Sequence, residues 1–360
     1  MRRIRPRATG EAAAGKAPAT GDRGLTPIPF IEVTGSHRDA GLALGRATAD
    51  VVRRSAAGPF DTALAERFRA VTVEHLPWVV EELDAVAEAA EVDPLAVFAA
   101  SVEELHSPAF AATGCSDLVL TGERAADGHL LVAHNNDLDA ADEDDIVAIE
   151  WRVEGEPTLF TLGGGPWLSV GWNAAGLSVT GNELTPGDDR VGIPRLLQMR
   201  DVTARRTLAE AVDAILHPAR ASSYNWVLAH RSDGVLNVEG SATAAEVTEP
   251  VDGALAHTND YRHPSMRRFE GSPWAARSAR RCERAERLLE ESADEPLTVD
   301  RLRELLADHE GAPDSICRHD PEGVKTVFWC VADVTAGRIV YGRGNPCESE
   351  AQVYEFEHAA

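Results

Sequence analysis

Lysine is nearly absent from this chain. Lys16 and Lys325 are the only two, and the remaining cations are arginines. Schiff-base chemistry therefore has almost nothing to work with. No Gly-x4-Gly-Lys-Ser/Thr loop exists, since Ala17 follows Gly10 to Lys16, which removes a P-loop nucleotide site. His-Glu-x-x-His and Gly-x-Ser-x-Gly are also missing. No apolar run reaches the roughly eighteen residues of a membrane span. None of the five cysteines forms a Cys-x-x-Cys pair, so a zinc or dithiol site is not expected. Their odd number points to free thiols in a reducing, cytoplasmic setting.

Positive charge is scarce as well. The net charge is −24, spread along the chain. That argues against a nucleic-acid partner, which needs a basic face, and suits a neutral or cationic small molecule. The segment Met1 to Gly24 starts basic but lacks the apolar run of a secretory signal. It is expected to be a disordered tail, residues 1–24.

What is present falls into two halves. Residues 31 to 109 carry small and apolar residues at three-four spacing, in stretches Gly35–Ser55, Phe60–Ala70, Leu76–Ala90 and Pro94–Leu105, and are expected to be helical. Asp93-Pro94 is a helix start, with the acid as cap and proline in the first turn. After Cys115 the period becomes two. Leu118–Leu120 and Leu130–Val132 read as a hairpin around Asp127-Gly128. Further strands are expected at Ile146–Val153, Thr158–Leu162, Trp167–Trp172, Leu177–Thr180, Asn225–Ala229, Val235–Glu239, Ala254–Thr258, Thr326–Val334, Arg338–Tyr341 and Val353–Phe356. Gly163-Gly164-Gly165-Pro166 reads as a turn. Helices are expected near Pro194–Arg200, Leu208–Leu216, Ala276–Glu290 and Val299–Asp308. This order suits two antiparallel sheets between helical layers better than a parallel βαβ fold.

At the junction stands Ala112-Thr113-Gly114-Cys115-Ser116-Asp117. A cysteine nucleophile needs a proton acceptor. His134, His230 and His257 each lie on or beside a strand, and spacing does not select one. A covalently attached base is the other solution. A free α-amine titrates near 7.7–8.0 and a thiol near 8.5, so an amine on the same residue can take the thiol proton. That requires Cys115 to be N-terminal, and hence a cleaved Gly114–Cys115 bond. Glycine before it leaves the carbonyl open to attack and tolerates a strained backbone. Cys282, Cys317, Cys330 and Cys347 each fall in an expected helix or strand and read as small buried apolar residues. The acidic run Asp137 to Asp145 has Asp142 where an EF-hand loop wants glycine, and reads as a solvated turn, with a metal site at 139–145 as the lesser alternative. Trp167, Trp172, Tyr224 and Trp226 would line an acyl pocket or simply fill the core.

Cys115-Ser116, Asn135-Asn136-Asp137, His257-Thr258-Asn259, Ser278-x-x-Arg281 with Leu288-Leu289, and Gly344-Asn345-Pro346-Cys347 occur in that order. As a set, from about residue 33 to the C-terminus, the chain resembles the acyl-coenzyme A:6-aminopenicillanic acid acyltransferase (C45) family of N-terminal nucleophile hydrolases. The resemblance implies an α+β fold, a four-layer αββα sandwich of two antiparallel sheets. It implies self-cleavage before the cysteine, giving a helical small chain (25–114) and a catalytic large chain (115–360) packed as one domain. Carried over, Cys115 is the nucleophile and processing centre, and Asp137 sits beside its ammonium group. Asn259 points its amide at the reacting carbonyl oxygen, and Arg281 favours the thiolate and pairs with Asp137. Asn182, in Gly181-Asn182-Glu183, resembles the second oxyanion asparagine of the bile-salt hydrolases. Asn136 departs from the aromatic residue of the acyltransferase motif, and Asp260-Tyr261 from its His and Phe. A penicillin-type acyl donor is therefore not implied.

The expected activity is amide cleavage through a Cys115 thioester, with water or an amine as acceptor and a small N-acyl compound of secondary metabolism as substrate. No cofactor or metal is expected, though a coenzyme A thioester fits as co-substrate. Two other readings stay open at this point. One is a non-cleaving Cys–His hydrolase using, for example, His257; the other is a small-molecule binding protein on the same scaffold.

Overall fold

The structure, a computed structural model, describes residues 26–105 and 114–357. The expected tail at 1–24 and the residues just before Gly114 lie outside the described residues.

The first helical layer begins after strand β1, Phe30–Gly35. Ser36 and Asp39 form a reciprocal capping box that starts α1, His37–Ala47. α2 (Ala49–Ser55), α3 (Thr62–His75), α4 (Pro77–Ala90) and α5 (Pro94–Ala100) follow. Asp93 Oδ1 accepts from Leu95 N at 2.9 Å and caps α5. α1 packs so tightly on α4 that a Cβ on Gly41 would lie 2.2 Å from Glu82 O, and one on Gly45 2.4 Å from Val86 O. Residues 31–35, expected to be helical, belong instead to β1. Its pairing partner lies more than a hundred residues on, which no local periodicity reports.

The remaining strands form two sheets. The larger contains β1, β4 (Ile146–Val153), β5 (Leu159–Gly164), β6 (Trp167–Asn173), β7 (Leu177–Asn182), β8 (Asn225–His230), β9 (Gly234–Gly240) and β10 (Ala245–Thr248), in the order β1-β4-β5-β6-β7-β8-β9-β10. The smaller contains β2 (Gly114–Leu120), β3 (Leu131–Asp139), β11 (Ala254–His257), β12 (Val324–Asp333), β13 (Arg338–Arg343) and β14 (Gln352–Glu355), in the order β11-β2-β3-β12-β13-β14. All neighbours are antiparallel except the edge pair β1–β4, which is parallel. Gly163 and Gly164, expected in a turn, belong to β5; only Gly165 takes a positive φ, 64°. β10, a short edge strand, was not legible in the sequence.

Three apolar layers hold the sandwich. α1–α5, with α6 (Arg195–Thr203) and α7 (Leu208–Ile215), cover the larger sheet over Val33, Leu44, Val86, Phe98, Ile149 and Trp226. Phe160, Val170, Trp172, Val227, Phe328 and Cys330 pack between the sheets. α8 (Ala275–Glu291) and α9 (Val299–Leu306) cover the smaller sheet through Leu288, Leu289, Leu302 and Leu306. The chain thus forms the expected four-layer αββα sandwich. Alternating residues on each strand serve the layers on its two faces.

The cysteines do not all fill the role expected of them. Cys282 in α8 and Cys330 in β12 are buried. Cys317 and Cys347 lie in loops, Cys347 is exposed, and their sulfurs are 3.7 Å apart. Sequence spacing excludes a local pair but not one assembled by loop packing.

Candidate active site

β2 and β3 pair Gly114 with Asp137, Cys115 with Asn136, Ser116 with Asn135, and Asp117 with His134. Residues directly opposed on antiparallel strands project to the same face, and faces alternate. Cys115, Asn136, Asp117 and His134 therefore look into the layer between the sheets. Gly114, Asp137, Ser116 and Asn135 look toward α8 and α9. The contacts agree. Asp117 is met by Thr180 and Asn182 of the larger sheet, whereas Asn135 Nδ2 donates to Leu306 O and Ile316 O, 2.9 Å each.

On the helix side, Ser278 and Arg281 stand three apart on the buried face of α8. Ser278 Oγ accepts from Asn259 N at 2.6 Å, which fixes the backbone of Asn259. Arg281 Nη2 donates to Asn259 Oδ1 (2.6 Å) and reaches Cys115 O (3.4 Å), while Nε donates to Ser116 Oγ (3.2 Å). Asn259 Oδ1 also accepts from the backbone N of Cys115 at 2.8 Å. Asn259 Nδ2 donates to Glu183 O at 3.1 Å, leaving its second hydrogen for another acceptor. The nitrogen of the Gly114–Cys115 peptide is thus held from in front by an oriented amide oxygen.

Asp137 lies opposite Gly114. Its Oδ1 accepts from Thr326 Oγ1 at 2.7 Å, and Oδ2, fully buried, has no hydrogen-bond partner among the described residues. Burial pushes its carboxyl above the usual range, while the Arg318 and Arg281 guanidiniums oppose that shift. Arg281 is shifted the other way, down, by its own burial. Asp137 resists that change and the neighbouring Arg318 reinforces it. Arg281 therefore acts on Asp137 as a nearby charge and spends its hydrogen bonds on Asn259 and β2.

The glycine at 114 stands among charged side chains. A Cβ there would lie 2.9 Å from Arg318 Nη1, 3.2 Å from Asp137 Oδ2 and 3.3 Å from Arg281 Nη2. Two guanidiniums and a carboxylate converge on this peptide, and a side chain at 114 would push the end of Arg318 aside. Arg318 was not singled out in the sequence. It sits in a loop, and nothing local to it signals that it reaches residue 114.

On the inter-sheet side, Asn136 Nδ2 donates to Cys115 Sγ at 3.7 Å and lies 3.4 Å from His134 Nε2. His134 Nδ1 is 3.0 Å from Asp117 Oδ1, and both residues are fully buried. Burial alone would lower the pKa of His134. The charge and hydrogen bond of Asp117 overcome it, with the Cys115 thiol adding, and the imidazole is pushed up to about 10. At neutral pH it is an imidazolium with no capacity to accept a proton. His257 is not near the thiol: Nε2 meets Glu239 Oε1 at 3.0 Å and Nδ1 meets Asn182 Oδ1 at 3.0 Å. Asn182 itself stands behind the site. Its Nδ2 donates to Asp117 Oδ2 at 2.8 Å, and its Oδ1 also accepts from Asn225 at 3.1 Å. Of the site residues expected from sequence, Cys115, Asp137, Asn259 and Arg281 come together around one peptide, and Asn182 joins them only through Asp117.

A cavity of about 300 Å³ opens beside the helix side of the site, lined by Asn259, Arg281, Arg318, Trp274, Arg277 and Glu183 among others. None of Trp167, Trp172, Tyr224 and Trp226 lines this cavity, although Trp172 and Trp167 border smaller ones elsewhere. Trp172 is between the sheets, Trp226 is under the first helical layer, and Tyr224 donates from its hydroxyl to Glu103 at 2.6 Å. Trp167 packs against the first helical layer and donates from Nε1 to Ser101 Oγ at 2.8 Å. Trp274, with Arg277 4.3 Å over its ring, takes the role instead. A larger cavity, about 720 Å³, lies beyond β11 between Glu239, His257 and Arg262, away from Cys115. The acidic loop before β4 is neutralised by protein cations. Lys325 Nζ meets Glu143 at 2.8 Å, Arg343 meets Asp144 at 3.0 Å, and Arg54 meets Asp145.

Residues 124–348 match the family model described as acyl-coenzyme A:6-aminopenicillanic acid acyl-transferase. The match includes Asp137, Asn182, Asn259 and Arg281 and begins after Cys115. No curated protein matches the sequence. Among solved structures, the chain is similar to a Caenorhabditis elegans N-acylethanolamine-hydrolyzing acid amidase ortholog (17% identity, 61% of this chain and 93% of that one, TM-score 0.46). It is also similar to a mutant conjugated bile acid hydrolase from Clostridium perfringens (14%, 68% and 97%, TM-score 0.43). A third is a penicillin V acylase from Agrobacterium tumefaciens (14%, 67% and 86%, TM-score 0.42). At such TM-scores the architecture rests on the strand order given above.

Proposed function

The chain belongs to the acyl-coenzyme A:6-aminopenicillanic acid acyl-transferase family, and from that premise we propose a self-processing cysteine amidohydrolase or acyltransferase with Cys115 as nucleophile. One observation carries the proposal. The backbone nitrogen of Cys115 already donates to Asn259 Oδ1 at 2.8 Å, while the unpaired, buried Oδ2 of Asp137 stands opposite the preceding residue. The nitrogen that becomes an α-amine is held before it is freed, and a carboxylate waits for the charge it then carries.

In processing, Cys115 Sγ attacks the Gly114 carbonyl carbon and the C–N bond to Cys115 breaks. The nitrogen takes a proton, and water hydrolyses the Gly114 thioester to a carboxylate and a free thiol. The α-amine of Cys115 then serves as the base for its own thiol. In turnover the thiolate attacks a small N-acyl amide, the amine departs protonated, and the acyl thioester passes to water or to an acceptor amine. The remaining hydrogen on Asn259 Nδ2 is the candidate donor to the developing oxyanion, a contribution of roughly 2.7–4 kcal/mol. Arg281 and Arg318 favour negative charge on this side of β2. Residues 25–114 stay attached as a small chain through the β1–β4 pairing and the packing of the first helical layer. The chemistry of these residues requires no separate cofactor, and a coenzyme A thioester remains a possible acyl donor by its reactivity. Water needs no binding site of its own, so hydrolysis of a small N-acyl compound is the direction we favour.

A Cys–His mechanism without cleavage is disfavoured by the same geometry. His257 is held by Glu239 and Asn182, and His134 is committed to Asp117 through Nδ1 and to Asn136 through Nε2. A binding protein on this scaffold would form no thioester. The test is intact mass of the purified protein with N-terminal sequencing. Fragments ending at Gly114 and beginning Cys-Ser-Asp-Leu are expected, and Cys115→Ala should stay whole and lose turnover by roughly 10⁶-fold, as loss of a nucleophile does. Turnover of N-acyl amides by an uncut chain, or by Cys115→Ala, would overturn the proposal. A cut chain that traps no acyl thioester from a panel of N-acyl amines, β-lactams and peptides would favour the binding protein.

A further inference from the structure

Four side chains from the connection between α9 and β12 and the loop between β13 and β14 converge beside the smaller sheet. His309 follows α9, Cys317 and His319 lie in the loop before β12, and Cys347 lies between β13 and β14. His319 Nε2 is 3.1 Å from His309 Nε2, 3.3 Å from Cys317 Sγ and 3.3 Å from Cys347 Sγ. The two sulfurs are 3.7 Å apart, and all four donor atoms lie within 4.8 Å of one another. Ordinary hydrogen bonding does not account for this. An imidazole nitrogen carries at most one proton and cannot serve three neighbours at once. A disulfide does not account for it either. The sulfurs stand well beyond the roughly 2.05 Å of an S–S bond, and a disulfide would leave the two imidazoles converging on nothing.

A cation at the centre satisfies all four. Tetrahedral zinc, with Zn–S near 2.3 Å and Zn–N near 2.05 Å, places its ligands roughly 3.8 Å apart for two sulfurs, 3.6 Å for sulfur and nitrogen, and 3.3 Å for two nitrogens. Four of the six separations, 3.7, 3.3, 3.3 and 3.1 Å, follow the same order and fall within a few tenths of these, and the two from His309 to the sulfurs lie within 4.8 Å. Two soft sulfurs and two imidazoles select zinc over calcium or magnesium, which take oxygen. The surroundings are those of a ligand set. Asn345 Nδ2 donates to Cys317 Sγ at 3.3 Å and to Arg318 O at 2.6 Å, and Glu348 lies 3.8 Å from His319 Nδ1, the nitrogen turned away from the cluster.

We infer that His309, Cys317, His319 and Cys347 form a structural zinc(II) site. Binding replaces the two thiol protons, releases them to solvent, and leaves a centre of zero net charge. Four protein ligands close the coordination shell, so no position remains for water or substrate. The ion would clamp the loop before β12 to the loop before β14. Arg318, which reaches Gly114, is bracketed by two of the ligands, so the clamp also fixes where that guanidinium starts. The missing Cys-x-x-Cys pair hides the site in the sequence, because its ligands are gathered from two separate connections, α9–β12 and β13–β14.

The inference does not depend on the acyl chemistry, and its test reads metal directly. Full-length protein purified under reducing conditions with zinc supplied should contain one zinc per chain. Cobalt(II) exchanged for it should show the visible bands of tetrahedral cobalt and thiolate-to-metal charge transfer. Cys347→Ser and His309→Asn alter exposed side chains, and each should lose the metal and the spectrum while retaining the wild-type circular dichroism. Cys115→Ala and Cys282→Ala should keep both. Zinc-supplied wild-type protein with only background metal would overturn the site. So would a Cys317–Cys347 disulfide in the reduced preparation, or a cobalt spectrum unchanged in Cys347→Ser.

Discussion

Arg200 and Arg281 are both buried arginines, one under each helical layer, and they are held in opposite ways. Arg200, 4% exposed, lies under the first layer between two carboxylates. Its Nε and Nη2 meet Glu82 at 3.0 Å each, and Nη2 also meets Glu156 at 2.9 Å. Burial would lower its pKa, but the two acids raise it instead. Arg281, 5% exposed, lies under the second layer and donates to neutral acceptors, Asn259 Oδ1 and Ser116 Oγ. Its pKa is lowered, by burial first. A cation that is fully paired locks helices together. One that spends its hydrogen bonds on neutral groups is, on the proposed mechanism, free to favour an anion that forms only during a reaction. The same residue type at the same depth thus separates scaffold from chemistry.

The sharpest way to break this comparison is to neutralise each arginine. Arg200→Met leaves Glu82 and Glu156 buried without a partner and is expected to cost about 3–5 kcal/mol of stability in denaturant unfolding. Arg281→Met should cost about 1–2 kcal/mol, the scale of its hydrogen bonds to neutral groups, and should instead slow self-cleavage. Equal stability losses with normal cleavage in both would erase the distinction.

Asn259→Ala comes next. Loss of the amide that holds the Cys115 nitrogen is expected to slow turnover by about 10²–10³-fold, seen in kcat. A change confined to KM would assign Asn259 to substrate binding alone.

On the scaffold side, Gly41→Ala forces a methyl against Glu82 O and should cost about 1–3 kcal/mol while the cleavage position stays at Gly114–Cys115. A shifted cleavage site would show that the first helical layer sets the chemistry after all.

His134 sharpens the comparison through pH. Its folded pKa, about 10, is raised above the unfolded value near 6.5. Its pairing with Asp117 therefore contributes stability that is fully present below about pH 6.5 and is lost as pH rises through about 10. The Tm gap between wild type and Asp117→Asn should shrink across that window. A constant gap would mean that the imidazole is neutral throughout. The smallest effect is expected from Trp274→Ala, a surface change within about 0.5 kcal/mol in stability, with KM raised for substrates that use the cavity.

The capping box at Ser36, the proline start at Pro94 and the change of period at Cys115 are local signals, readable residue by residue. The layered architecture follows from their order. Four of the five expected site residues come together because their motifs sit on strand ends and a helix face that the fold brings to one corner. The directions of their amides were not legible. Nothing near Asn182 in sequence says that its partner is Asp117, and nothing near Arg318 says that it reaches Gly114. β1 was hidden for the same reason, since an edge strand is defined by its neighbour.

The sequence alone thus determined a cysteine behind a glycine, a helical half, a strand-rich half and a family. Tertiary structure decided which histidine stands beside the thiol and that it keeps its proton. It also decided which charged side chains surround residue 114, and that two cysteines and two histidines without a shared motif meet at one point. Periodicity and capping act over a few residues, whereas a charge or a ligand set is defined by what sheet register and loop packing bring within a few ångströms.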